Sequence, residues 1–374
     1  MKYLFINSVC GIRSTGRICT DLARQLEAEG HTCKIAYGRV EEVPEAYRKY
    51  AVRIGGDLDL KVHALQTRLW DTHGFGSRQA TARFLRWAEE YAPDVLWLHN
   101  IHGYYIQVEM LFDWIKRHPN MQVKWTLHDC WAFTGHCAHF TAVGCDQWKT
   151  ECRHCPQLRQ YPACYGFSDV RRNFERKKQA FTGVQHMTLI VPSHWLESRV
   201  KQSFLGAYPI EVHYNRINTE VFKPTPGDFR QRYGLQDKVM VLGVATAWSN
   251  RKGLDVFVRL AGMLDDRYAI VLVGLTKKQI QQLPPQILGI EQTSDVKELA
   301  SIYTTADVFV NASVEETFGL TTVEALSCGT PVIVYEDTAC AEVVQHTKGK
   351  IVPQNVEAVY RAILASGKKT AQGS

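Results

Sequence analysis

Short apolar runs alternate with helical stretches along the whole chain, and no other feature limits the fold as sharply. Lys2–Asn7, Cys33–Tyr37, Asp94–Leu98, Val123–Leu127, Thr188–Val191, Val239–Ala245, Tyr268–Val273 and Val308–Val310 each read as a buried strand. Between them lie helices such as Ile18–Glu29, Gln79–Tyr91 and Glu298–Tyr303, while the stretch from Glu41 to about Asp71 shows little periodicity. Runs that are apolar throughout suit parallel strands covered by helices on both faces. The pattern therefore predicts a doubly wound α/β fold, with ligands at the carboxyl ends of the strands. At 374 residues the chain exceeds one core, so two such domains are expected. The proline-bearing segment Lys223–Gly227 marks a linker, which sets the domains at 1–216 and 217–374, with a Cys-rich insertion at about 130–165 in the first.

Composition narrows the function classes. The net charge of +6 suits anionic small molecules or an anionic membrane surface, and it is no nucleic-acid signature. No run approaches the roughly 18 apolar residues of a membrane span. The opening MKYLFINSVCGI is too short in its apolar part for a signal peptide and runs on without a small-residue cleavage site, so a cytoplasmic protein is expected. Eleven cysteines in that setting point to buried thiols or a metal site over disulfides.

The richest chemistry lies in Asn311–Val334, read as strand, loop, helix and strand. Glu316 and Glu324 sit eight apart around Phe318-Gly319-Leu320. A glycine at a helix N-terminus exposes backbone N–H groups to an anion, and a carboxylate in the following helix can grip ribose hydroxyls. The plainer alternative is a strand–helix unit with two solvated glutamates. Ahead of it, Arg251-Lys252-Gly253 follows the strand ending at Ala245 and offers cations for a diphosphate.

In the first half, the loop Ser8–Arg17 carries Gly16, at a place where backbone can approach a phosphate or sugar, or simply turn. His99 and His102 follow one strand and His128 follows the next, so they project into one crevice; a structural role is the default for each. Cys137, Cys145, Cys152 and Cys155 are spaced Cys-x7-Cys-x6-Cys-x2-Cys, of which only the last pair matches a metal knuckle. A structural zinc pinning a long loop and a lobe of free thiols both remain open. Residues 171–178 form a basic helix face, either solvated or in contact with anionic lipid headgroups.

The stretch Glu316-Thr317-Phe318-Gly319-Leu320 with Glu324, followed by Cys328-Gly329-Thr330-Pro331, resembles the Glu-x7-Glu motif of retaining glycosyltransferases of the GT4 class. The elements His128-Asp129, Thr134-Gly135-His136-Cys137 and Cys155-Pro156-Gln157-Leu158 resemble those of bacterial polysaccharide-biosynthesis members. The resemblance implies a GT-B fold, two Rossmann-like domains facing a cleft. It implies sugar transfer from a UDP- or GDP-linked donor to a saccharide or lipid-linked acceptor, with no metal needed for catalysis. It makes Glu316, His128 and Lys252 the catalytic residues. Gly16, Arg251, Lys252, Glu316, Phe318, Gly319, Leu320 and Glu324 would hold the donor, with Glu316 on the sugar and Glu324 on the ribose. His99 and His102 would lie on the acceptor side.

This chain departs from the family pattern at Thr317, where glycine is usual, and at Ala247, where an arginine is usual and Arg251 is the candidate replacement. It also has Ala339-Cys340 where paired glycines are frequent, and its long final helix is expected to be short or missing after Leu364. These departures keep alive a non-catalytic nucleotide-sugar-binding scaffold of a polysaccharide assembly complex. A glycosidase with paired carboxylates would have no use for Lys252 or the phosphate-binding glycine.

Overall fold

Strand β1 (Lys2–Asn7) lies inside a seven-stranded sheet in a computed structural model that describes residues 1–39 and 42–367. With β2 (Thr32–Tyr37), β3 (Ala51–Arg53), β4 (Val95–Leu98), β5 (Gln122–Thr126), β6 (Met187–Val191) and β7 (Ile210–Val212), the order is β3-β2-β1-β4-β5-β6-β7. A second sheet has β8 (Val239–Val244), β9 (Tyr268–Val273), β10 (Ile287–Ile290), β11 (Val308–Asn311), β12 (Val332–Tyr335) and β13 (Lys350–Val352), in the order β10-β9-β8-β11-β12-β13. Every pairing is parallel. The chain divides into two compact units, Met1–His213 and Tyr214–Ser374.

The uniformly apolar runs have the predicted cause. In the second sheet Val241, Val308 and Val310 pack on one face, while Met240, Leu242 and Phe309 pack on the other. Strand order reverses between β1 and β4 in the first unit and between β8 and β11 in the second. These are the switch points where a doubly wound sheet opens a crevice at its carboxyl edge.

Three sequence expectations need correction. The first helix starts at Arg13 rather than Ile18, which places Gly16 inside it instead of in the loop. A Cβ on Gly16 would stand 3.0 Å from Val9 Cγ2 and 3.2 Å from Gly11 N, so this glycine lets the helix press on the loop, and Gly11 at φ +73° makes the turn. Second, the stretch without periodicity contains β3 and a helix over Asp57–Trp70. Its pattern is hard to read because the inward residues are polar, His63 and Thr67, both fully buried.

The third concerns residues 171–178 on the helix Val170–Phe181, where three of the five basic side chains are engaged while Arg172 and Lys178 are exposed. Arg171 pairs with Glu151, Arg176 pairs with Glu109 at 2.7 Å and lies over Phe75, and Lys177 is 1% exposed. Lys177 Nζ donates to Trp131 O (2.7 Å) and Thr134 O (2.9 Å) and sits 3.6 Å from the centre of the Trp131 ring. Burial pulls its ammonium down to about 7, against the attraction of Asp71. This lysine fastens the Cys-rich insertion to the helix.

The last described helix, Val356–Leu364, packs into the second unit through Val359 and Ile363. The expectation about the chain beyond it falls largely on residues 368–374, which lie outside the described residues. Among the described residues no helix is long and apolar enough to cross a membrane.

Candidate functional site

In the second unit the loops after β8 and β11 meet at the switch point. The close approach depends on Gly253, at φ +79°, where a Cβ would stand 2.5 Å from both Ala312 Cβ and Ala312 O. Val314 N–H donates to Arg251 O at 3.0 Å, and Arg251 Nη1 donates to Glu315 O at 3.2 Å. This clamp brings Lys252 Nζ onto Glu316 Oε1 in a short ion pair, with side chains 22% and 14% exposed. Burial works against the Glu316 carboxylate, but Lys252, then Arg251 and a hydrogen bond from Ser313, hold it below the usual carboxylate range. Attraction in such a pair, about 4 kcal/mol at 4 Å and an effective dielectric of 20, is largely offset by desolvation. The pair is therefore poor ground for stability and better ground for a preorganised charge.

Gly319 ends the loop at φ +86° and starts the helix Leu320–Ser327, which has no side-chain cap. The first in-helix bond runs from Thr322 N–H to Gly319 O at 2.9 Å, so the N–H groups of Leu320 and Thr321 precede it, the kind of helix start that suits an anion. Beneath Gly319 lies a support that sequence reasoning missed. A Cβ there would meet Cys340 Sγ at 2.3 Å, and Asn311 Nδ2 donates to Thr322 Oγ1 (3.0 Å) and Cys340 Sγ (3.4 Å). Asn311 Oδ1 accepts from Ser313 N–H at 3.1 Å. Cys340, noted only as a departure from the family, is thus the floor of this turn. Phe318 is buried with its ring 5.9 Å from Tyr214, and Glu324 Oε2 accepts from the buried Tyr303 hydroxyl at 3.0 Å. Arg251, the candidate for the missing arginine, braces the loop beside Glu316 instead of standing open at position 247.

The first unit gathers its histidines at the ends of the adjacent strands β4 and β5. His99 Nδ1 lies 2.9 Å from His128 Nε2, with the rings stacked 5.2 Å apart at 18°. Burial pushes both imidazoles down, His99 well below its ordinary value and His128 to about 4, so both are neutral near pH 7. His99, expected on the acceptor side, is 2% exposed, stacked on Trp97, tilted against Phe5 and bonded to His128. His102 Nε2 pairs with Asp129 Oδ2 at 3.0 Å, and Asp129 Oδ1 accepts from Trp131 N–H at 2.9 Å. Burial opposes charge on Asp129, but His102 and that N–H hold it well below the carboxylate range. Tyr161, which sequence reasoning passed over, sets its hydroxyl 3.5 Å from His102 Nδ1 and 3.4 Å from Arg39 Nη2. It comes from a loop 59 residues away along the chain, and no local pattern signals that approach.

The four cysteines of the insertion line one small cavity together with His136. Cys137 and Cys155 share a side-chain hydrogen bond. His136 Nδ1 bonds Asp71 Oδ1 at 2.6 Å, and its buried Nε2 has no partner. Among the described residues no group of three or more His, Cys, Asp or Glu side chains is placed to hold an ion as it stands.

Gly319→Ala should weaken binding of nucleoside diphosphates at least about tenfold, because a left-handed alanine costs about 1–2 kcal/mol and displaces Cys340. Calorimetric titration measures it; an unchanged affinity would show that the turn does not seat the phosphates.

Residues 237–366 match the family model described as glycosyl transferases group 1. The chain is 28% identical over 288 residues to the Escherichia coli K12 protein WcaC, whose name assigns it to glycosyl transfer in colanic acid biosynthesis, covering 75% of this chain and 68% of that one. It is 35% identical over 150 residues to a D-inositol 3-phosphate glycosyltransferase of Catenulispora acidiphila, covering 34% of this chain and only 36% of that relative's length. Among solved structures, sucrose-phosphate synthase from Thermosynechococcus elongatus superposes with a TM-score of 0.69 at 18% identity, over 97% of this chain and 89% of that one. Anabaena HepE in complex with UDP-glucose gives 0.63 at 16% identity, over 98% and 89%. At such identities these two likenesses speak for the fold. Taken together, the second unit is similar to group 1 glycosyl transferases, the class to which the GT4 resemblance pointed, and the superpositions give the chain the GT-B fold.

Proposed function

We propose that the protein moves a sugar from a nucleotide-diphosphate donor, UDP- or GDP-linked, to a hydroxyl of a saccharide or lipid-linked acceptor during surface-polysaccharide assembly on the cytoplasmic side. The observation that carries this reading is the Lys252–Glu316 pair beside the uncapped helix that starts after Gly319. Lys252 and the first N–H groups of that helix take the diphosphate and stabilise its charge as it leaves. Glu316, released from the lysine, accepts hydrogen bonds from sugar hydroxyls, and Glu324 takes the ribose. In the other unit, neutral His128, oriented by His99, hydrogen-bonds the sugar, while His102, Asp129 and Tyr161 contact the acceptor. The departing phosphate oxygen takes the acceptor proton, so no protein nucleophile is needed. WcaC's name supports the polysaccharide setting, and the UDP-glucose complex of HepE supports a UDP-sugar donor.

A screen of UDP-, GDP- and ADP-sugars with the intact chain tests the reading. Glu316→Ala and Lys252→Ala should each lower donor turnover by about a hundredfold or more, the loss seen when one charge-stabilising group is removed, with the thermal midpoint retained. Binding of a donor without any turnover would favour the scaffold reading; no binding at all would overturn the proposal.

For the insertion we propose a structural zinc outside the transfer chemistry. A histidine whose second nitrogen is held by a carboxylate is the usual outer arrangement of a metal-bound imidazole, and His136 with Asp71 has it, beside Cys137, Cys145, Cys152 and Cys155 in one cavity. Protein purified without added metal should carry about one zinc per chain and lose thermal stability on chelation. A metal-free chain that is equally stable would contradict this.

A further inference from the structure

The helix Asp57–Trp70 is built the wrong way round for a helix of a self-sufficient unit. Leu58, Val62, Leu65 and Leu69 recur at spacings of four, three and four and so share one face. That face points outward, at 74%, 44%, 56% and 39% exposure, and Trp70 beside it is 55% exposed. The buried face is polar instead. His63 lies 2.9 Å from Ser77 Oγ and 3.1 Å from Thr72 O, and Thr67 donates to His63 O. A second segment extends the apolar surface. Tyr165 N–H donates to Arg68 O at 2.7 Å and Phe167 N–H to Leu69 O at 2.8 Å, which sets Phe167 (83% exposed) and Tyr165 (59%) against the helix end. Together these side chains expose several hundred Å², at the upper end of what a monomeric protein shows as one patch.

The charges around the patch identify what covers it. Lys61 and Arg68 are exposed on the same helix, Arg159 lies over the Tyr165 ring, and none of the three makes an ion pair among the described residues. The helix's carboxylates are already engaged, Asp57 with Arg53 and Asp59 with Gly56 N–H and Arg83. A second copy docked about a two-fold axis would bring the same cations to the seam from both sides, with this helix's carboxylates already engaged. Leucines, a tryptophan and a phenylalanine with lysine and arginine at the border match the interface of an anionic bilayer.

We propose that this surface, Leu58–Trp70 with Tyr165 and Phe167, docks the protein on an anionic lipid membrane. The inference does not rest on the transfer reaction. Where that reading holds, the bilayer lies against the unit that carries the acceptor-side groups, since His63 on the buried face of the same helix meets Tyr104 edge-on at 6.0 Å and Tyr104 lies 4.8 Å from His73, a neighbour of His102.

Sedimentation of the full chain with vesicles of equal parts phosphatidylglycerol and phosphatidylethanolamine, and with pure phosphatidylcholine vesicles, tests it without any donor or acceptor. The protein should pellet with the anionic vesicles and release them at raised salt. The triple variant Leu58→Gln, Leu65→Gln, Phe167→Ser should bind at least about tenfold less while keeping nucleotide-sugar binding. Lys61→Glu with Arg68→Glu, which leaves the apolar stripe intact, should also lose anionic-vesicle binding. Failure of the unaltered chain to pellet, undiminished binding by either variant, or a dimer in size-exclusion chromatography that the triple variant dissolves would each overturn the proposal.

Discussion

Everything on the donor side depends on one backbone approach, Gly253 against Ala312. Any side chain at 253 would push the two loops apart, and Lys252 would no longer reach Glu316. The two strands that launch these loops are neighbours only because the sheet reverses direction between β8 and β11. Topology brings the cation and the carboxylate to one edge, a missing Cβ brings them into contact, and the pair then waits for a ligand able to separate it. A diphosphate attracts the lysine and sugar hydroxyls attract the glutamate. On the proposed function, the resting ion pair is a preorganised, reversible stand-in for the two halves of a nucleotide sugar.

The first unit solves a different problem, presenting polar groups to a neutral ligand without charging them. His99 and His128 are stacked and hydrogen-bonded in surroundings that disfavour protonation, which on the proposed function suits positioning a ligand rather than exchanging its protons. His102 faces an ionised Asp129 instead. Two histidines three apart in sequence thus occupy opposite electrostatic settings. The Cys-rich insertion supplies Tyr161 to this cluster and is itself pinned by buried Lys177, which couples the insertion to the site.

What the sequence revealed follows from which signals are local. The strands could be read because each is buried on both faces, and the Glu316–Glu324 segment because its glycine, carboxylates and helix start lie within a few residues. Cys340 under Gly319, and Tyr161 beside His102, were illegible because they arrive from distant segments. The Asp57–Trp70 helix was missed for a more interesting reason. Its apolar stripe faces out and its polar residues face in, so the usual periodicity argument has no core to point to. In the basic run at 171–178 the partners were the unreadable part: Arg171, Arg176 and Lys177 are engaged by Glu151, Glu109 and two backbone carbonyls, all from distant segments.

The central claim is that a donor separates Lys252 from Glu316, the diphosphate taking one and the sugar the other. Calorimetric titration of Glu316→Gln with UDP, or with whichever nucleoside diphosphate binds, tests it most directly. Removing the carboxylate charge frees the lysine, so the nucleotide should bind as tightly as to the unaltered chain or more tightly, while the corresponding nucleotide sugar loses its added affinity. If Glu316→Gln weakened the bare nucleotide as much as Lys252→Ala does, the two residues would not divide the donor between them, and the account of this site would be wrong.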